Sequence, residues 1–305
     1  MQERENDTTE TSLKSNIGYK KNYTRGSIAA FLSAVGFGSL PVFAVFAYQE
    51  GVKVLTLLSF RFFFTSIILA VYMIKNNIIF LPDKKEIKGL VLLGILYAAF
   101  NFSYFSAFEL IPASMAALIF YAYPALVALF AFFLGEEDLN ITRAAAILTA
   151  FLGIYFVYYD FTAVIVPLGL LAAAGSAVFY ALYIMAGNNT LKTVDLRTAV
   201  FYTCFFSAAG FLTAGSLQGD LQFVLAPRAI LLLVVITIIS MFGLLSFLYG
   251  VKNTSPTIAS VASMIEPVFT VFLSLLILAE TFSPIQYAGG ILVVSSSAYI
   301  VVKKA

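Results

Sequence analysis

The chain has 305 residues, of which 61% are hydrophobic and 11% are charged, whereas about 25% of residues are charged in a typical soluble domain. Its apolar residues form runs of about 20, the length that crosses a bilayer core of about 30 Å. Composition therefore predicts an integral membrane protein. The net charge of +2 does not indicate a nucleic-acid partner. The absence of histidine excludes histidine proton relays, histidine metal ligands and Ser-His catalysis.

Residues 1–23 are polar and lack the apolar core of a cleaved signal peptide, so we predict a disordered cytoplasmic tail there. Ten apolar segments follow, each long enough to span a bilayer. They cover residues 26–47, 55–74, 89–110, 113–134, 141–159, 166–187, 196–216, 228–251, 256–279 and 284–302. Strands of a membrane barrel would be about 10 residues long and alternating. The predicted fold is therefore all-α, with ten transmembrane helices.

Lysine and arginine are distributed unevenly among the loops. Of the 18 such residues, 15 lie in the tails or in even-numbered loops, while the odd-numbered loops carry only Lys53 and Arg228. Cationic residues concentrate on the cytoplasmic side of membrane proteins. The pattern predicts a multi-pass protein of the cytoplasmic membrane with both termini in the cytoplasm.

The second half of the chain repeats the first at an offset of 143 residues. The Gly, Pro and Glu matches are Gly26 with Gly169, Pro124 with Pro267, and Glu137 with Glu280. Each repeat contains five crossings, an odd number, so the second must be inverted relative to the first. We predict two five-helix repeats, at 24–160 and 161–305. Secondary transporters are often built this way, with the substrate site near mid-membrane between the repeats.

Glu266-Pro267 is the most unusual feature of the apolar segments. A carboxylate at this depth costs about 2.5–3.5 kcal/mol unless it is paired, hydrated or protonated. We expect Glu266 to contact a cationic group of a substrate or to carry a coupling proton. In the alternative, it bonds backbone groups that Pro267 leaves free. Ser263 belongs to a small, polar face of the same helix, which suits either a cavity wall or helix packing.

Further candidate residues lie on other segments. Tyr123-Pro124 is the counterpart of Glu266-Pro267, and paired interruptions are a pointer to a transporter site. Asn101 and Tyr180 would give a substrate polar walls, although such residues also simply link helices. Arg61 could bind a substrate carboxylate, or its long side chain could extend to the lipid headgroups. We predict no metal site and no cofactor.

These residues resemble the drug/metabolite transporter superfamily, and specifically its EamA-type ten-helix permeases. The resemblance covers about residues 26–302. It rests on Arg61, on Glu266-Pro267 and on two motifs that each occur twice: Gly-x-x-x-Ala at Gly26–Ala30 and Gly169–Ala173, and Leu-Gly-Glu or Leu-Ala-Glu at Leu134–Glu136 and Leu278–Glu280. The family often has an acid where this chain has Tyr123. The resemblance implies an exporter of amino acids, drugs or small metabolites with a central cavity between its halves.

The predicted function is therefore secondary transport of a small molecule by alternating access. A passive channel or facilitator is the alternative. An enzyme is not expected, because the sequence has no HExxH motif, no P-loop and no pair of acids on one helix face at depth. Expected partners are the substrate and the lipid bilayer. Rows of small residues at 144–153 and 288–297 suit close helix packing, within the monomer or in a homodimer.

Overall fold

The computed structural model describes residues 23–78, 82, 84–133, 141–159, 166–190, 193–253, 265–279, 281 and 283–304. The described residues form eleven α-helices and no strand. The helices are α1 Tyr23–Gln49, α2 Val54–Lys75, α3 Lys84–Leu110, α4 Ala113–Phe120, α5 Tyr123–Phe133, α6 Ile141–Tyr159, α7 Pro167–Thr190, α8 Leu196–Gln218, α9 Pro227–Asn253, α10 Ile265–Ile277 and α11 Pro284–Lys304. Residues 1–22 of the predicted tail, Ser263 and the predicted boundary between the repeats lie outside the described residues, while Tyr23 begins α1.

The helices match the predicted spans. Within the described residues, α1, α2, α3, α7, α8 and α9 each contain a stretch long and apolar enough to cross a membrane. The fourth, fifth and tenth predicted spans coincide with α4–α5, α6 and α11, and α10 lies within the ninth, whose residues 256–264 are outside the described part of the chain. The all-α membrane fold predicted from composition is thereby confirmed.

The fourth predicted segment is not one continuous helix. A turn at Tyr121 and Ala122 separates α4 from α5. Pro124 is the second residue of α5, a position where a missing amide N–H removes no intrahelical hydrogen bond. Pro267 also lies in a first helical turn, that of α10. At both positions the proline therefore stands at the beginning of a helix.

The two halves of the chain are interlocked. The most extensive helix contacts join α1 with α9, α3 with α7, α6 with α11, and α2 with α8. Each of these pairs takes one helix from each half of the chain. In the repeat, α1 corresponds to α7, α2 to α8, α3 to α9 and α6 to α11. Replacing each helix by its counterpart therefore turns the α1–α9 pair into the α7–α3 pair, and it leaves the α6–α11 and α2–α8 pairs unchanged. The packing thus shows the symmetry that two inverted repeats predict.

Small residues bring the paired helices close together. A Cβ atom on Gly153 of α6 would lie 2.7 Å from the carbonyl oxygen of Gly289 in α11. Ser33 of α1 donates a hydrogen bond of 2.7 Å to the carbonyl oxygen of Gly243 in α9. The small residues at Gly153 and Gly289 therefore serve packing within the monomer, which is one of the two roles expected for these rows.

Candidate functional site

Glu266 lies in the first turn of α10 and is partly buried in the helix bundle. The hydroxyl of Tyr121, in the turn between α4 and α5, is within hydrogen-bonding reach of its carboxylate. Four other tyrosines interact electrostatically with this carboxylate, namely Tyr97, Tyr104, Tyr123 and Tyr180. Among the described residues, no lysine or arginine pairs with Glu266. The acid thus lies among hydroxyl groups and has no counter-charge among the residues that the structure describes.

The tyrosines belong to a continuous aromatic wall on α3, α4, α5 and α7. Tyr123 meets Tyr180 edge-on, with ring centroids 4.8 Å apart and an interplanar angle of 88°. Phe100 lies 4.6 Å from Tyr180 and 5.1 Å from Phe120, centroid to centroid. Helices of both repeats contribute to the wall, so it lies where the halves meet. Its faces are apolar and carry the negative side of the ring quadrupole, which suits a cationic group or an apolar body.

Arg61 is the second charge inside the bundle. The residue is 5% exposed, and one guanidinium nitrogen donates a hydrogen bond of 3.2 Å to the amide oxygen of Asn101. The guanidinium carbon also lies 4.9 Å from the ring centroid of Phe62 and 5.1 Å from that of Phe105. Arg61 is therefore held among the helices, and the alternative that it extends to the headgroups is wrong.

Asn101 explains the orientation of this arginine. It is 1% exposed, and its amide nitrogen donates to the carbonyl oxygen of Tyr97, one helical turn earlier, at 2.8 Å. That bond fixes the amide so that its oxygen faces Arg61. No carboxylate of the described residues pairs with Arg61.

The structure therefore places two opposite charges inside the bundle, and within the part of the chain that it describes neither is paired with the other or with another charged group. Tyr97 interacts electrostatically with both Arg61 and Glu266. Taking a rise of about 1.5 Å per residue, Arg61 lies about 10 Å from the start of α2 and Glu266 about 16 Å from the end of α10. These two helix ends face the same side in the predicted topology. Both charges thus lie well inside a hydrocarbon core of about 30 Å.

Helix α1 closely approaches the backbone of Glu266. A Cβ atom on Gly38 would lie 2.8 Å from the Glu266 carbonyl oxygen. The hydroxyl of Thr270 donates to the Gly38 carbonyl oxygen at 2.9 Å. Over its described part, the polar face of α10 therefore serves helix packing at Thr270, whereas Ser263 lies outside the described residues.

A set of contacts, which we call the loop clamp, joins residues 50–56 to residues 220–228. Lys53 forms an ion pair with Asp220, and Arg228 forms one with Glu50 at 3.1 Å. Gln222 accepts from the Lys53 amide at 2.8 Å and donates to the Gly51 carbonyl oxygen at 2.9 Å. The turn that presents this carbonyl has Gly51 at φ +80°, a conformation that favours glycine. The clamp connects the two halves at one end of the bundle.

The sequence did not predict two parts of this arrangement, the phenylalanines of the aromatic wall and the loop clamp. Phe100 and Phe120 give no signal of their own, because the chain has 31 phenylalanines. The loop clamp did leave a signal, since Lys53 and Arg228 are the only cations in odd-numbered loops and both turn out to be paired. Of the predicted site residues, Glu266, Tyr123 and Tyr180 come together, while Arg61 and Asn101 form a neighbouring pair. For Pro124 and Pro267, the structure describes only the position in the helix.

An interlocked, two-repeat membrane protein with buried charges between its halves has the architecture of a membrane transporter of small solutes. The model of the EamA-like transporter family matches residues 24–159 and again residues 167–302. The two matches begin 143 residues apart, which is the offset of the repeat. The chain therefore belongs to the EamA-like transporter family, whose members are transporters.

A solved structure described as "Crystal structure of protein" is similar to this chain, with a TM-score of 0.62 and 20% identity. The match covers 92% of this chain and 97% of that one. At this identity the similarity shows the fold alone. A comparison with curated proteins found no match.

Proposed function

We propose that this protein exports small metabolites, either amino acids and related compounds or drugs, across the cytoplasmic membrane, with both termini in the cytoplasm. The observation that carries the proposal is Glu266, an acid inside the bundle with no cationic partner among the described residues and with tyrosines of both repeats around it. An uncompensated charge at this depth is costly and is a common feature of substrate and ion pathways. Export is supported by the resemblance to EamA-type permeases.

Alternating access is the proposed mechanism. Helices of both repeats meet around the site, and in transporters built from inverted repeats the two halves move against each other about such a site. The loop clamp supports this mechanism, because it holds the halves together at the end of the bundle where the odd-numbered loops lie. In the proposed orientation that end faces the exterior, and we infer that the clamp belongs to a state closed toward the outside.

The test is Glu266→Gln, which keeps the shape of the side chain and removes its charge. Compounds exported by overproducing cells would first be identified by a metabolite and drug screen, then followed in proteoliposomes. Hydrogen bonds to charged groups contribute about 1.5–3 kcal/mol, so we expect the variant to lose about tenfold or more in transport rate. Glu109→Gln is the matched control, since Glu109 is an exposed acid near the end of α3. Wild-type rates and affinity in Glu266→Gln would overturn the proposal.

Proton coupling through Glu266 is the second part of the proposal, because a carboxylate facing a substrate path can exchange a proton for a cation. An imposed pH gradient should then drive accumulation of the substrate. Substrate that equilibrates but never accumulates, with no proton movement, would instead identify a passive facilitator.

A further inference from the structure

A groove on the outer side of the bundle lies apart from the tyrosines around Glu266. Helices α9 and α10 both pack against α1, but over their described residues they hardly touch each other. Helix α1 therefore forms the floor of the groove, while α9 and α10 form its walls. The groove has a volume of about 510 Å³, which lies in the range of ligand pockets, about 300–1,000 Å³.

The lining of the groove is apolar. Among the lining residues, Ser39 on the floor alone carries a hydroxyl, and this hydroxyl donates to the Gly36 carbonyl oxygen of its own helix at 2.7 Å. The walls are aliphatic and aromatic, with Phe242 in α9 and Phe269 and Leu273 in α10. Such a lining offers a polar solute little to bond with, and a buried water molecule needs two to four polar partners. The groove therefore suits an apolar ligand.

The groove opens toward the bilayer. Its lining includes Leu32, Ile238, Phe242 and Ile277, which are 43%, 53%, 50% and 49% exposed. Helices α1 and α9 both contain stretches long and apolar enough to cross a membrane, so these side chains face hydrocarbon. An apolar wall without neighbouring atoms loses its dispersion contacts. Hydrocarbon from the bilayer is therefore favoured inside the groove.

The dimensions of the groove match one leaflet. From Leu32 to Phe46 the floor extends about 21 Å, at a rise of about 1.5 Å per residue. One leaflet contributes about 15 Å to the hydrocarbon core. Phe46 lies about 5 Å from the end of α1 at Gln49, where the first odd-numbered loop begins. A lipid whose headgroup lies at that end can therefore place the whole length of one acyl chain in the groove.

The small residues of the floor belong to one repeat. At the offset of 143, Phe179 corresponds to Gly36 and Leu182 corresponds to Ser39. A Cβ atom on Gly36 would lie 3.6 Å from the nearest atom, a methyl carbon of Ile239, which is an ordinary contact. Helix packing alone therefore does not require glycine at this position. The small side chains instead keep the floor of the groove low.

We propose that the groove between α1, α9 and α10 is a lipid site, which holds one acyl chain of a phospholipid from the leaflet at the odd-numbered loops. In the proposed orientation this is the outer leaflet. Phe269 in one wall lies a single turn after Glu266, so the bound chain contacts the helix that carries the candidate acid. The lipid site depends on the membrane-spanning fold and not on the proposed export.

A tryptophan in the groove tests the proposal, because the chain has no tryptophan of its own. Phe269→Trp places the fluorophore in a wall of the groove. Phe205→Trp places it on α8, where Phe205 is 46% exposed. Each purified full-length protein is reconstituted in phosphatidylcholine vesicles with increasing fractions of a phosphatidylcholine brominated near the end of one acyl chain. We expect both tryptophans to be quenched, because bromine quenches the fluorophore on contact.

Ser39→Phe distinguishes the groove from the surrounding lipid. Its ring should fill the groove, so Phe269→Trp should lose most of its quenching while Phe205→Trp keeps it. Ser39→Leu, which copies the residue at the matching position 182, should have the same effect in a smaller degree and replaces Ser39→Phe if that variant does not fold.

Thr213→Phe is the matched control. Thr213 is exposed on α8, and its hydroxyl also bonds to its own helix, at 2.8 Å from the Ala209 carbonyl oxygen. This variant adds the same ring outside the groove, so the quenching of Phe269→Trp should not change.

Three results would overturn the proposal. A Phe269→Trp fluorophore that brominated lipid does not quench would show that the groove is closed to lipid, by a second copy of the chain or by another part of it. Quenching that both substitutions of Ser39 leave unchanged would show that lipid reaches α10 by another path. Quenching that an exported compound relieves would assign the groove to the substrate.

Discussion

Breaking the loop clamp should open the end of the bundle that carries the odd-numbered loops. The double variant Glu50→Gln/Asp220→Asn removes both ion pairs of the clamp and keeps the size of each side chain. The hydrogen bonds of the clamp that involve backbone groups remain, including the one from the Thr56 hydroxyl to the Asp220 carbonyl oxygen at 2.7 Å. The substitution therefore weakens the closed state without abolishing it.

The size of the effect follows from the exposure of the paired side chains. Lys53 and Asp220 are 51% and 31% exposed, and Arg228 and Glu50 are 79% and 26% exposed. Exposed ion pairs of this kind contribute about 0.2–1 kcal/mol each. Losing both should shift the equilibrium between closed and open states by about 2- to 30-fold, since 1.4 kcal/mol corresponds to a factor of ten.

Cys204 provides the assay, because it lies in α8 and is only 1% exposed. The rate at which a membrane-impermeant maleimide labels Cys204 from the outside should rise by the same factor in the double variant. Arg197→Gln is the control, because it breaks an ion pair of similar exposure, with Asp195, that lies within one even-numbered loop region. Salt at 1 M, where the screening length is about 3 Å, should reproduce the effect in the wild type. An unchanged labelling rate in both experiments would refute the assignment of the clamp as a closed gate.

Two glycines give further predictions. Gly38→Ala should lower both Tm and transport rate, because the new Cβ would lie 2.8 Å from the Glu266 carbonyl oxygen; overpacking of this kind costs about 1–3 kcal/mol. Gly153→Ala should lower Tm by a similar amount, because its new Cβ would lie 2.7 Å from the carbonyl oxygen of Gly289 in α11. It should leave substrate affinity unchanged. Gly210→Ala is the control for both, since no atom lies within 4 Å of its added Cβ, and it should be neutral or slightly stabilising. Thermal denaturation curves of Gly38→Ala and Gly153→Ala that match the curve of Gly210→Ala would contradict both predictions.

The fold could be predicted because a bilayer imposes a simple rule on the sequence. Every crossing needs about 20 apolar residues, so ten such runs predict ten crossings. The fixed offset between Pro124 and Pro267 then predicts two repeats of five. Because each repeat has five crossings, an odd number, the second repeat must be inverted relative to the first. None of these steps requires knowledge of which side chains touch.

The parts that could not be predicted depend on contacts between residues far apart in the chain. The loop clamp joins residues separated by 167 positions, and no local pattern shows which loops meet. The break at Tyr121 and Ala122 was expected as an interruption near Pro124, but its placement before the proline depends on where α5 begins. For Arg61, the sequence shows only the distance from a helix end, which suits both burial and extension to the headgroups.

The loss of symmetry at the site is itself informative. The two repeats share their prolines, yet one carries Tyr123 where the other carries Glu266, and Arg61 has Cys204 at the matching position 143 residues later. The repeat therefore supplies an acid from one half and a cation from the other. The charges inside the bundle therefore do not follow the two-fold symmetry of the helix packing, because Glu266 and Arg61 each have an uncharged residue at the matching position of the other repeat.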